Sequence, residues 1–121
     1  MENMRLGAVE SRFAEIVWAH EPLSSGELVR LCERELQWKK STTYTVLKKL
    51  TERGILRNDG GTVRACLTRE EYFARQSERF VSETYGGSLP AFVAAFTARN
   101  RLTDEEADAI RKLIDDARGE G

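Results

Sequence analysis

Residues 41–67 read STTYTVLKKLTERGILRNDGGTVRACL. Thr43, Val46, Leu47 and Leu50 recur at helical spacing, which predicts a helix from Ser41 to Glu52 or Arg53 with those four side chains inward. Gly54 is its stop, because glycine takes the left-handed conformation without a Cβ penalty. The opposite face carries Ser41, Thr42, Tyr44, Thr45, Lys48 and Lys49. After the stop come Ile55-Leu56-Arg57, then Asn58-Asp59-Gly60-Gly61, then Thr62-Val63-Arg64-Ala65-Cys66-Leu67. Two short β-prone runs around Asp-Gly predict a hairpin.

Upstream, Leu6, Val9, Phe13, Ile16 and Val17 form an apolar stripe that predicts a helix over residues 7–20. Gly7 is its N-cap, Glu10 sits near the positive end of its dipole, and Glu21-Pro22 ends it. Ser24-Ser25-Gly26-Glu27 is a capping box that opens a second helix, with Leu28, Cys32 and Leu36 on one face. Trp38 lies in the short connection that follows. Two helices joined tightly, with the second followed by a hairpin, make a winged helix-turn-helix.

Downstream, Thr68-x-x-Glu71 and Thr103-x-x-Glu106 are two more capping boxes, opening helices at about residues 69–84 and 104–118. Gly86-Gly87-Ser88 breaks the chain between them, and Leu89, Phe92, Val93 and Phe96 mark a further amphipathic stretch. The expected fold is therefore mainly α with a small β-hairpin wing. The pattern predicts a winged-helix DNA-binding domain over residues 1–67 and a three-helix dimerisation lobe over residues 68–121. So few residues bury little surface alone. Phe73, Phe80, Val81, Tyr85, Leu89, Phe92, Val93, Phe96, Ile110, Leu113 and Ile114 are therefore the expected dimer-forming side chains.

Composition narrows the function classes. The 121 residues include 40% hydrophobic and 32% charged residues, an ordinary soluble balance. No apolar run approaches the roughly 18 residues of a membrane span. The acidic N-terminus lacks a signal-peptide core, so a cytoplasmic protein without membrane insertion is expected. Cys32, Cys66 and His20 are the only cysteines and the only histidine. They cannot build a four-cysteine or a two-cysteine, two-histidine zinc site within one chain, and no nucleophile motif accompanies them, so no metal, cofactor or enzymatic activity is expected. His20 reads as a helix-end cation, and both cysteines read as buried small hydrophobes.

The net charge of −1 hides an asymmetry: residues 39–64 hold seven Lys/Arg against two Asp/Glu. Such a block, with a wing, is the footprint of a nucleic-acid face. The expected contacts to double-stranded DNA are Lys40, Ser41, Thr42, Tyr44, Thr45, Lys48 and Lys49 on the third helix and Arg64 on the wing. Small hydroxyls allow close approach to the major groove, and cations neutralise phosphates. The same face is also what any solvated amphipathic helix presents. A ligand- or redox-responsive regulator and a protein-interaction module without a DNA target stay open as alternatives.

The order Trp18, Pro22-Leu23, Glu27-Leu28, Trp38, Ser41-Thr42, Thr45-Val46-Leu47-x-x-Leu50, Arg53, Gly54-Ile55-Leu56 resembles the penicillinase-repressor family of the BlaI/MecI type. Phe80-Val81, Tyr85-Gly86-Gly87-Ser88-Leu89, Leu102-Thr103 and Glu105-Glu106 extend the resemblance over nearly the whole chain. It implies a cytoplasmic homodimeric repressor that binds dyad operators, often TACA/TGTA-like, upstream of resistance genes. It also implies release through proteolysis triggered by a membrane-bound sensor protease. The family's Asn-Phe cleavage bond maps onto Ala95-Phe96, with alanine in place of asparagine. Copper-responsive relatives carry a cysteine-rich C-terminus, which this chain lacks.

Overall fold

A computed structural model of the chain describes residues 5–119. The elements are α1 (Ala8–His20), β1 (Leu23–Ser24), α2 (Ser25–Leu36), α3 (Lys40–Glu52), β2 (Leu56–Asp59), β3 (Thr62–Ala65), α4 (Arg69–Tyr85), α5 (Leu89–Thr97) and α6 (Asp104–Ala117). The strands form one antiparallel sheet in the order β1-β3-β2. The fold is mainly helical, a winged helix followed by a helical lobe. Among the described residues no helix is long and apolar enough to cross a membrane.

Local sequence chemistry fixes the helix starts. Ser24 Oγ accepts the Glu27 amide at 3.0 Å, and the Glu27 carboxylate accepts the Ser24 amide at 2.8 Å, closing the capping box of α2. Thr68 with Glu71 and Thr103 with Glu106 repeat that reciprocal pattern for α4 and α6. Gly7 has no side chain to offer, so α1 keeps half of the motif: Glu10 Oε1 accepts the Gly7 amide at 3.0 Å. Helix α3 begins at Lys40, one residue before the expected Ser41, behind an N-cap, Lys39, that makes no side-chain cap bond.

The described residues divide after Ser77 into two compact units. In the first, α1 contributes Phe13, Ala14, Ile16 and Val17 to the core, α2 contributes Leu28 and Cys32, and α3 contributes Thr43, Leu47 and Leu50. Ile55, Leu56 and Val63 close it from the hairpin side. The ring of Phe13 stacks on Trp38, with centroids 5.6 Å apart and planes 15° apart. Burial pushes the Cys32 thiol above its usual range, with the Thr43 side chain acting in the opposite sense.

The start of α4 belongs to this first unit. Tyr72 is buried there, its ring 5.6 Å from that of Trp18 and its hydroxyl accepting the Leu6 amide at 2.9 Å. The Trp18 indole N–H donates to the Leu67 carbonyl at 2.9 Å. The expected boundary between Leu67 and Thr68 lies ahead of this division, since nothing in the residue pattern separates the two ends of α4.

Three expectations need correction. Val9 is 58% exposed, because it lies in the first turn of α1, where Leu6 closes the core instead. Cys66 is exposed. Along the hairpin Val63 and Leu67 point inward, so the alternation turns Cys66 outward with Arg64. The hairpin loop is two residues long, with Gly60 at φ 61° and Gly61 at φ 98°. Asn58 and Asp59 therefore belong to β2, and Asn58 Oδ1 accepts the Gly61 amide at 2.9 Å.

In the second unit no described side chain is fully buried. Phe80, Tyr85 and Phe92 meet edge to face, with centroids 5.5–5.8 Å apart. A groove of about 410 Å³ between α5 and α6 is lined by Phe92, Val93, Phe96, Leu102 and Ile110, among others. Leu113 and Ile114 stay more than half exposed on α6.

Candidate nucleic-acid interface

The rotation of α3 about its axis is set by its buried stripe. With Thr43, Leu47 and Leu50 inward, Ser41, Thr42, Tyr44, Thr45, Lys48 and Lys49 are all exposed, as is Lys40 at the first turn. The seven expected helix contacts thus share one solvent-facing surface. No single side chain has to be moved to form it.

Their immediate partners differ. Thr45 Oγ1 donates to the Ser41 carbonyl at 2.9 Å, which leaves its oxygen free to accept. The Tyr44 hydroxyl donates to Ser25 Oγ at 3.3 Å, tying α3 to the start of α2. Lys40 Nζ stands 6.0 Å from the centroid of the Tyr44 ring. Among the described residues Lys40, Lys48 and Arg64 make no ion pair. Such uncompensated, exposed cations are what a phosphate backbone neutralises, with release of counterions.

Lys49 differs from the other cations. Its ammonium pairs with Glu10 Oε2 at 3.2 Å, and the guanidinium of Arg53 takes Glu10 Oε1 at 3.1 Å. Arg53 also donates to the Arg5 carbonyl. The Glu10 carboxyl is held below the usual carboxylate range, first by the Gly7 amide and then by Lys49 and Arg53. Lys49 therefore sits on the α1 edge of the surface with its charge already matched.

The wing carries Arg64 on its outer face, exposed. The register pairs Leu56 with Ala65, Arg57 with Arg64, Asn58 with Val63 and Asp59 with Thr62. On the other edge of β3, Leu23 faces Val63 and Ser24 faces Thr62. The Ser25 amide donates to the Gly61 carbonyl at 2.8 Å, so the wing tip is anchored to the start of α2.

Sequence reasoning missed β1 and Arg57. Strands drawn as Ile55–Arg57 and Thr62–Leu67 place Arg57 opposite Thr62, two residues out of register. The signal that could have corrected this is Gly60-Gly61, the adjacent pair in which both residues take a positive φ without a Cβ penalty. The two cysteines are far apart in role, Cys32 buried and Cys66 exposed. His20 Nδ1 lies 2.9 Å from the Ile16 carbonyl, one turn back at the C-terminal end of α1.

The expected dimer residues are divided between the units. Phe73 lies in the first, 6.3 Å from Trp18 and 5.2 Å from Tyr72 between ring centroids, under the Arg69 guanidinium. Phe80, Val81, Tyr85, Leu89, Phe92, Val93, Phe96, Ile110, Leu113 and Ile114 lie in the second, each at least partly exposed. Ala95 and Phe96 fall within α5, both exposed, and their peptide bond is helical.

Comparison with known proteins gives a consistent picture. The family model described as penicillinase repressor matches residues 6–116. The penicillinase repressor of Bacillus licheniformis is 21% identical over 116 residues, covering 93% of this chain and 91% of that protein. The methicillin resistance regulatory protein MecI of Staphylococcus aureus strain Mu50 is 18% identical over 117 residues, covering 93% and 95%. MecI of Mammaliicoccus sciuri is 16% identical over the same length. These relatives are named as a repressor and as regulatory proteins, and none as an enzyme.

Proposed function

The chain belongs to the penicillinase repressor family, and on that footing we propose that it is a homodimeric transcriptional repressor of the class that regulates resistance genes. Its operator is a two-fold dyad in double-stranded DNA. One α3 from each subunit enters a major groove, with Ser41, Thr42 and Thr45 nearest the bases and Lys40, Tyr44 and Lys48 on phosphates. Arg64 assists from the wing, and Lys49 gives a weaker contact from its pair with Glu10. A two-fold dimer reads two half-sites and so doubles the bases it can discriminate.

The observation that carries this reading is the orientation of α3, which turns every hydroxyl and lysine of the expected set to solvent while Thr43, Leu47 and Leu50 lock it from behind. The exposed apolar side chains of residues 78–119 support dimerisation through α4–α6, since monomers rarely expose large contiguous apolar patches. Any proteolytic release by a membrane-bound sensor protease we place at Ala95-Phe96. That bond would have to leave the helical conformation before cleavage, and the cut would separate α6 from the rest of the lobe.

Lys48→Ala is the test on the helix side. Its binding to operator and to unrelated duplex should weaken alike, and its slope of log K against log salt should flatten by about 0.9 per neutralised phosphate. Lys49→Ala should flatten the slope less, because Glu10 already matches that charge. A Lys48→Ala protein with unchanged affinity and slope would show that this face of α3 does not meet DNA.

A further inference from the structure

We propose that Arg57 and Arg64 together form a phosphate clamp on the wing, and that Asp59 holds the clamp partly closed until a DNA backbone phosphate displaces it. The inference rests on the DNA-binding reading above and adds a residue and a latch to it. Its starting point is the register: Arg57 and Arg64 are directly opposed across the β2–β3 ladder, and both are exposed. Directly opposed residues of an antiparallel pair share one face, with Cβ atoms about 4.5–5.5 Å apart. Two like charges there destabilise the hairpin, so an anion between them relieves a repulsion built into the strand pair.

Asp59 takes half of that role inside the protein. It lies two residues from Arg57 on the same face, and its Oδ2 accepts from Arg57 Nε at 2.7 Å. Arg64 has no ion-pair partner among the described residues. Two other acids at this sheet cap backbone rather than a guanidinium: Glu21 accepts the Ala65 amide and Glu27 the Ser24 amide, each at 2.8 Å. The free wing thus holds one matched and one unmatched arginine. A phosphate oxygen offers a better partner to both, because guanidinium forks bind phosphate through parallel N–H···O bonds. The exchange at Arg57 swaps one carboxylate for one phosphate, with no net change in the protein's protonation.

The latch makes opposite predictions for its two residues. By fluorescence anisotropy on the duplex upstream of its own gene, the full-length Arg57→Ala protein should bind about threefold or more weakly, with a slope shallower by about 0.9 per wing. Asp59→Asn should bind about threefold more tightly than the unaltered protein. In the Arg57→Ala background, Asp59→Asn should change almost nothing, because its effect runs through Arg57. Matching thermal melts confirm that the variants are folded.

An Arg57→Ala protein with unaltered affinity and slope overturns the clamp. So does an Asp59→Asn gain of equal size with and without Arg57, which would be a general charge effect. If the unaltered protein binds, and Lys48→Ala weakens it while Arg57→Ala does not, the clamp fails and the DNA-binding reading stands. If the unaltered protein fails to bind DNA even at low salt, both fall.

Discussion

A chain cut after Ser77 should sediment as a monomer and bind a dyad operator about 10²–10⁴-fold more weakly than the full-length protein, the range by which linking two sites raises avidity. It should still melt cooperatively. The cut keeps Tyr72, whose ring packs on Trp18 and whose hydroxyl accepts the Leu6 amide. It removes residues 78–121, which contribute no fully buried side chain among those described and whose Phe80, Leu89, Val93, Phe96, Leu113 and Ile114 stay exposed. A cut after Leu67, at the boundary the sequence suggests, should instead lower stability by a few kcal/mol. It would leave Trp18 and Leu6 without the aromatic ring that covers them, comparable to the ~3–5 kcal/mol of a large aromatic truncation. Analytical ultracentrifugation and anisotropy on the two fragments separate these outcomes. A stable dimer from the Ser77 fragment would remove the helical lobe from the dimer interface.

Phe13→Ala should destabilise the protein by about 3–5 kcal/mol, a large share of the ~5–15 kcal/mol that holds a typical domain folded. Phe13 is fully buried, and its loss removes the stack with Trp38 that closes the α2–α3 connection. The cavity would open against Trp38, in the connection that leads into α3. Urea unfolding at fixed protein concentration measures the effect, since the proposed dimerisation would make apparent stability concentration-dependent. Val9→Ala provides the contrast. It occupies the same helical stripe in the sequence but is exposed, and should cost less than about 0.5 kcal/mol. A Phe13→Ala cost below about 1 kcal/mol would contradict the packing described here.

Much of the fold is written in local chemistry. The S/T-x-x-E boxes at Ser24, Thr68 and Thr103 act within one turn, and all three helices start where those residues place them. The inward stripe of α3 is a matter of spacing, so its outward face follows without knowledge of the rest of the chain. Features that depend on distant partners were not legible. Strand β1 is two residues long and exists because Leu23 and Ser24 meet Val63 and Thr62. Tyr72 reads as part of the C-terminal lobe until Leu6 and Trp18 are placed beside it.

The candidate interface divides in the same way. Its hydroxyls and lysines are legible from periodicity, but their charge state of affairs is not. Glu10 reaches Lys49 from another helix, across a sequence distance that no window covers. Arg57 was hidden by a register fixed at Gly60-Gly61, where two consecutive positive φ angles shorten the loop and carry Arg57 two residues along to face Arg64. Cys66 was misplaced because β-prone residues continue past the end of the strand, while the alternation that decides inward from outward is set by Val63.

The most direct test of the central claim is the binding of the purified full-length protein to the DNA upstream of its own gene, by fluorescence anisotropy across a salt series, beside a shuffled duplex of equal length. A dimeric repressor should give two chains per duplex, preference for the upstream sequence, and a slope of about −0.9 for each phosphate neutralised. Weak binding of equal strength to both duplexes, or no binding at low salt, would contradict it.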